Sequence, residues 1–174
     1  MSQILGIGLV VAVTIAAGAF VSGSRPQQWA GDTSSASAEL LALSLEDSSG
    51  VPQSFARWRG KVLVVNFWAT WCPPCTDEIP EFSRMSEQWA PKGVQFVGIG
   101  VDQADKIREF ARRSTVSYPL LIGPPNAMQM AVALGDRAEG LPFTVVIDAN
   151  GRVKTTRLGR LDEKELAVIL SSAL

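Results

Sequence analysis

Two cysteines stand three residues apart in the segment Trp71-Cys72-Pro73-Pro74-Cys75, and the chain has no others. A thiol attacks as its thiolate, and an unperturbed cysteine has a pKa of about 8.5. Unpaired N–H groups and the macrodipole at a helix N-terminus favour negative charge, so a cysteine at such a mouth is activated. Cys72 is placed at the mouth and Cys75 inside the first turn, with both sulfurs on one side, so a disulfide can close over two residues. Pro73 and Pro74 are tolerated in a first turn. They also remove two donors that would otherwise stabilise a thiolate. Zinc is disfavoured, because a structural site takes four Cys or His ligands and this chain has no histidine and no third cysteine. A purely structural disulfide is disfavoured too, because a two-residue loop constrains the unfolded chain little. A redox-active dithiol is the better reading.

The elements around the pair suit that chemistry. Val62–Phe67 is a continuous apolar run, the pattern of a strand buried on both faces. Thr76-Asp77-Glu78-Ile79 then opens a helix to about Trp89, with Ile79, Phe82, Met85 and Trp89 on its inner face. Further strands are expected at Val94–Gly100, Tyr118–Ile122, Phe143–Ile147 and Arg152–Leu158. Helices are expected from Asp102 or Gln103 to Arg113, over Asn126–Leu134 and over Leu161–Leu174. Ala149-Asn150-Gly151 is a hairpin turn signal. Upstream, Leu40 to Leu45 suggests a short strand and Asp47–Gly50 a turn. The resulting α/β order, parallel strands followed by antiparallel ones, predicts a mixed central sheet flanked by helices.

Phe67-Trp68-Ala69-Thr70-Trp71-Cys72-Pro73-Pro74-Cys75, followed by Glu78 and Pro80, resembles the TlpA/ResA type of thioredoxin-like thiol:disulfide oxidoreductases. The resemblance runs over about residues 39–174. Gly140–Asp148 is similar to that family's cis-proline segment, and Gly151 and Gly159 fall where the family has glycines. The resemblance implies an N-terminal hairpin, a central βα insertion and a cis Leu141–Pro142 bond. It implies that Leu141 and Pro142 bind an extended client chain by strand addition, and that Trp71 and Pro142 flank the exposed sulfur. Asn66 stands where thioredoxin itself has a proton-moving aspartate, and an amide cannot be a general base. The family has a glutamate at the place of Glu78, so Glu78 is the candidate acceptor for the Cys75 proton; the bland alternative is an acid favoured in a first turn.

The implied partners are a protein disulfide client and a membrane-bound thiol reductant. The family's clients include apocytochrome c thiols and copper-site cysteines. No cofactor or metal is expected. A peroxiredoxin-like peroxidase is disfavoured because Ala69, not threonine, stands three residues before Cys72. A copper carrier of this fold uses CxxxC plus histidine, which the chain lacks. Net charge is −1, which makes no electrostatic case for nucleic acid.

Residues 1–24 carry no charged side chain, and Ile4–Val21 is almost wholly apolar. About 20 such residues span a bilayer as a helix. An uncleaved anchor is favoured over a cleaved signal peptide, since the run lacks a basic n-region and continues past Ala17-Gly18-Ala19. Residues 25–38 read as a flexible tether. The expected organisation is therefore an anchor (1–24), a linker (25–38) and a thioredoxin-like domain (39–174). The family resemblance places that domain in the periplasm, beside the bacterial inner membrane.

Overall fold

The computed structural model describes residues 33–174. The anchor expected at residues 1–24, and the tether as far as residue 32, lie outside the described residues. The chain begins with helix α1 (Thr33–Ala42) and a small hairpin of β1 (Ser44–Glu46) and β2 (Pro52–Ser54), closed by the Asp47–Gly50 turn. A 3-10 turn at Phe55–Trp58 leads into β3 (Val62–Trp68) and α2 (Pro73–Trp89). Then come β4 (Val94–Gly100), α3 (Ala104–Arg113), β5 (Leu120–Ile122) and α4 (Ala127–Ala133). β6 (Phe143–Ile147), β7 (Val153–Leu158) and α5 (Glu163–Ala173) complete the domain.

The main sheet runs β5-β4-β3-β6-β7, with β3, β4 and β5 parallel and β6 and β7 antiparallel. All seven residues of β3 are buried, as a run that is apolar but for Asn66 requires of a central strand. Side chains alternate along a strand, so β3 feeds two separate cores. Val62, Val64 and Trp68 meet α2, α3 and α5 on one face. Leu63, Val65 and Phe67 meet α1, α4 and the 3-10 turn on the other. Asn66 shares the parity of Val64 and Trp68. Its amide therefore enters the face that α2 covers, and this places it in the site.

The N-terminal expectation needs correction. From Thr33 onward the stretch read as a tether is helical, and Leu40 and Leu41 belong to α1, not to a strand. Small residues account for both the tether-like composition and the docked helix. Ser37 is wholly buried, and its hydroxyl lies 2.7 Å from the Gly151 carbonyl in the β6–β7 turn. Leu40 packs into the second core. Docking, rather than helical propensity, holds this segment. The remaining elements fall where expected to within about two residues.

Candidate active site

β3 ends at Trp68, and the turn Ala69–Cys72 closes with the Cys72 N–H donating to the Ala69 carbonyl at 3.3 Å. Cys72 is then the N-cap of α2, with extended backbone (φ −101°, ψ 100°), and Pro73 and Pro74 form the first helical positions. Cys72 and Cys75 are joined in a disulfide with Cα atoms 5.3 Å apart. Cys72 keeps 5 % of its surface exposed and Cys75 none, so Cys72 is the more accessible sulfur and Cys75 the more enclosed one. Trp71 is 66 % exposed beside them. The Leu141–Pro142 bond is cis, as the resemblance implied, and Leu141 packs against the apolar cluster that contains both cysteines.

The first turn of α2 has few donors left for a thiolate. Pro73 and Pro74 have no N–H. The N–H groups of Cys75 and Thr76 both donate to the Cys72 carbonyl, at 3.0 and 3.1 Å. No side-chain cap bond is made at Cys72. The helix dipole still acts on the Cys72 sulfur, but no first-turn N–H is directed at it.

Beneath the dithiol lies a buried carboxyl. Glu78 follows Cys75 by three residues, on the same face of α2, and is fully buried. The Asn66 amide donates to its Oε1 at 2.7 Å, and the Leu161 N–H to its Oε2 at 3.2 Å. Burial pushes the Glu78 pKa up to about 7. The Leu161 and Asn66 hydrogen bonds and the Arg160 charge oppose that rise, while Glu81 adds to it. The proton of Glu78 is thus poised near neutrality, where general acid–base exchange is most effective. Asn66 pairs directly across the sheet with Thr144 and donates to its hydroxyl at 3.1 Å. Tyr118 is buried on the same side, and burial together with the Glu78 charge keeps its phenol un-ionised.

The structure thus brings together Cys72, Cys75, Asn66 and Glu78. Trp71, Pro73 and Pro74 are exposed at the same helix mouth. Thr144 and the Leu161 N–H join the site without having been anticipated. Thr144 did leave a signal, as the single polar residue in an apolar strand. The Leu161 N–H left none, because a backbone donor belongs to every sequence.

A fully buried sulfur joined to a nearly buried one, at the end of the central strand of this sheet, is an arrangement suited to a thioredoxin-like thiol:disulfide oxidoreductase. A family model described as Redoxin matches residues 31–170. The chain belongs to that family and, within it, to the TlpA/ResA type of thioredoxin-like proteins. It is 30% identical over 129 residues to the thiol-disulfide oxidoreductase ResA of Geobacillus thermodenitrificans, covering 74% of this chain and 72% of the relative. It is 28% identical over 127 residues to the thioredoxin-like protein YneN of Bacillus subtilis, covering 71% of each. Among solved structures, a thiol:disulfide interchange protein from Chlorobium tepidum superposes with a TM-score of 0.68 at 32% identity, covering 75% of this chain and 92% of that one.

Proposed function

We propose that this oxidoreductase works as a reductant of exported protein disulfides, tethered to the bacterial inner membrane by residues 1–24 with its domain on the periplasmic side. Reduced Cys72 attacks one sulfur of a client disulfide as thiolate, and the other client sulfur leaves as thiolate. Cys75 then attacks Sγ of Cys72 and releases the second client sulfur. Two electrons pass to the client, and the Cys72–Cys75 disulfide remains. Glu78 accepts the Cys75 proton as that sulfur becomes nucleophilic. Leu141 and Pro142 receive the client backbone, and Trp71 covers the apolar flank of the reacting sulfur. A membrane-bound thiol donor restores the dithiol. Disulfides formed in apocytochrome c or at copper-site cysteines are the clients that the family resemblance suggests.

The direction of electron flow is carried by one observation: no first-turn N–H is free to stabilise a Cys72 thiolate. DsbA is a strong oxidant, at about −120 mV, because its reduced form is stabilised. Here that stabilisation is weakened, so the disulfide is the more favoured form and the dithiol gives up its electrons readily. A Cys75→Ser variant should hold the client as a mixed disulfide on Cys72, to be identified by mass spectrometry. Equilibration of the wild-type protein with a glutathione series measures the potential. A value as oxidising as that of DsbA would refute the reductant reading.

A further inference from the structure

We propose that Asp102 is a positioning residue for the exchange reaction, holding the Ala69–Cys72 turn in the shape that presents Trp71 and Cys72. Asp102 belongs neither to β3 nor to α2. It lies between β4 and α3, on the chain segment beside the turn. One of its oxygens, Oδ2, accepts two hydrogen bonds from the same residue: the Thr70 N–H at 3.1 Å and the Thr70 hydroxyl. The other, Oδ1, accepts from the Gln103 N–H at 2.7 Å, which fixes the rotation of the carboxylate. Immediately before Asp102, the Val101 N–H donates to the Trp68 carbonyl at 2.7 Å, so the parallel β3–β4 pairing runs directly into this tie. Thr70 is therefore pinned by backbone and side chain to the loop that follows β4. The next two residues are the exposed indole and the attacking sulfur.

This arrangement addresses a mechanical difficulty of the site. The turn joins a rigid, buried strand to a helix whose first two residues are prolines, and its outer residue, Trp71, is two-thirds exposed. Packing alone holds such a residue poorly. A misplacement of an ångström at a reacting atom costs up to about 100-fold in rate. A double anchor one residue before Trp71 limits that freedom without touching the client.

The tie and the charge of Asp102 can be separated by substitution. Asp102→Ala removes both. Asp102→Asn removes the charge and keeps a carbonyl oxygen for the two Thr70 donors, leaving the Gln103 N–H without its acceptor. Thr70→Val removes only the hydroxyl bond. The proposal rests on the exchange chemistry of Cys72, so two readouts are taken on the full chain. They are kcat/KM for reduction of insulin and the alkylation rate of Cys72 by iodoacetamide in the reduced protein. Asp102→Ala should lower kcat/KM by about tenfold and alter the alkylation rate, with Asp102→Asn restoring most of both. Thr70→Val should fall between, and Asp102→Ala/Thr70→Val should be no worse than Asp102→Ala, because the two side chains act through one contact. The proposal is overturned if Asp102→Asn matches Asp102→Ala, which would assign the effect to charge, or if the two substitutions are additive. It is equally overturned if Asp102→Ala lowers only the thermal midpoint and leaves both rates unchanged. A wild type that alkylates normally but reduces no disulfide would instead end the exchange reading, while the alkylation series would still decide the role of Asp102.

Discussion

The buried carboxyl of Glu78 should leave a measurable mark on stability. Its pKa rises from 4.5 to about 7 on folding, and burial is the principal cause. An acid whose folded pKa is raised binds its proton more tightly in the native state. It stabilises the fold below about pH 4.5, and that contribution disappears as pH climbs through about 7. At 1.36 kcal/mol per pKa unit, a rise of roughly 2.5 units makes ionised Glu78 cost about 3 kcal/mol above pH 7.5. Glu78→Gln is neutral throughout this range. Its amide oxygen can accept from Asn66 or from Leu161, but its NH2 must then face the other donor, a pH-independent loss of about 1–3 kcal/mol. Urea unfolding of the oxidised protein at pH 5 and pH 8.5 tests the difference. Between those conditions wild type should lose about 2.5 kcal/mol relative to the variant, and with a urea slope of about 2 kcal/mol/M the gap between midpoints should move by about 1.2 M. The exchange rate should follow the same group: the wild-type profile should show an inflection near pH 7 that Glu78→Gln lacks. Parallel stability curves for the two proteins would refute the buried-carboxyl reasoning. A shared rate profile would remove Glu78 from proton transfer while leaving the stability argument intact.

Trp71→Ala should separate docking from folding. The indole is 66 % exposed, so stability should change by less than about 0.5 kcal/mol, while kcat/KM for a protein disulfide falls about tenfold; equal kinetics on insulin would count against a docking role. Gly123→Ala should do the opposite. A Cβ there would lie 2.3 Å from the Gly100 carbonyl oxygen, a backbone atom that cannot swing aside. A loss of about 1–3 kcal/mol is expected from chemical denaturation, and an unchanged midpoint would show that the β4–β5 end yields more easily than its packing implies.

Much of this protein is written in local pattern. The apolar run of β3, the spacing of Cys72 and Cys75, and the prolines at the helix start are all properties of adjacent residues, and the structure places each where its neighbours dictate. The α1 segment was not legible in the same way. Ser37 is buried only because the β6–β7 turn, more than a hundred residues away, offers it the Gly151 carbonyl. A short run of Ser and Ala has the same composition whether it dangles or docks. The inner half of the site depended likewise on long-range partners. The Glu78 carboxyl owes its raised pKa to an enclosure assembled from β3, α2 and the loop before α5, and Asp102 reaches Thr70 only because β4 lies against β3. Sequence spacing determined which atoms can exchange electrons, because that chemistry needs two thiols one helical turn apart. Tertiary structure decided how protons are held beneath them and what steadies them, because burial and hydrogen bonding between distant segments exist only once the sheet is built.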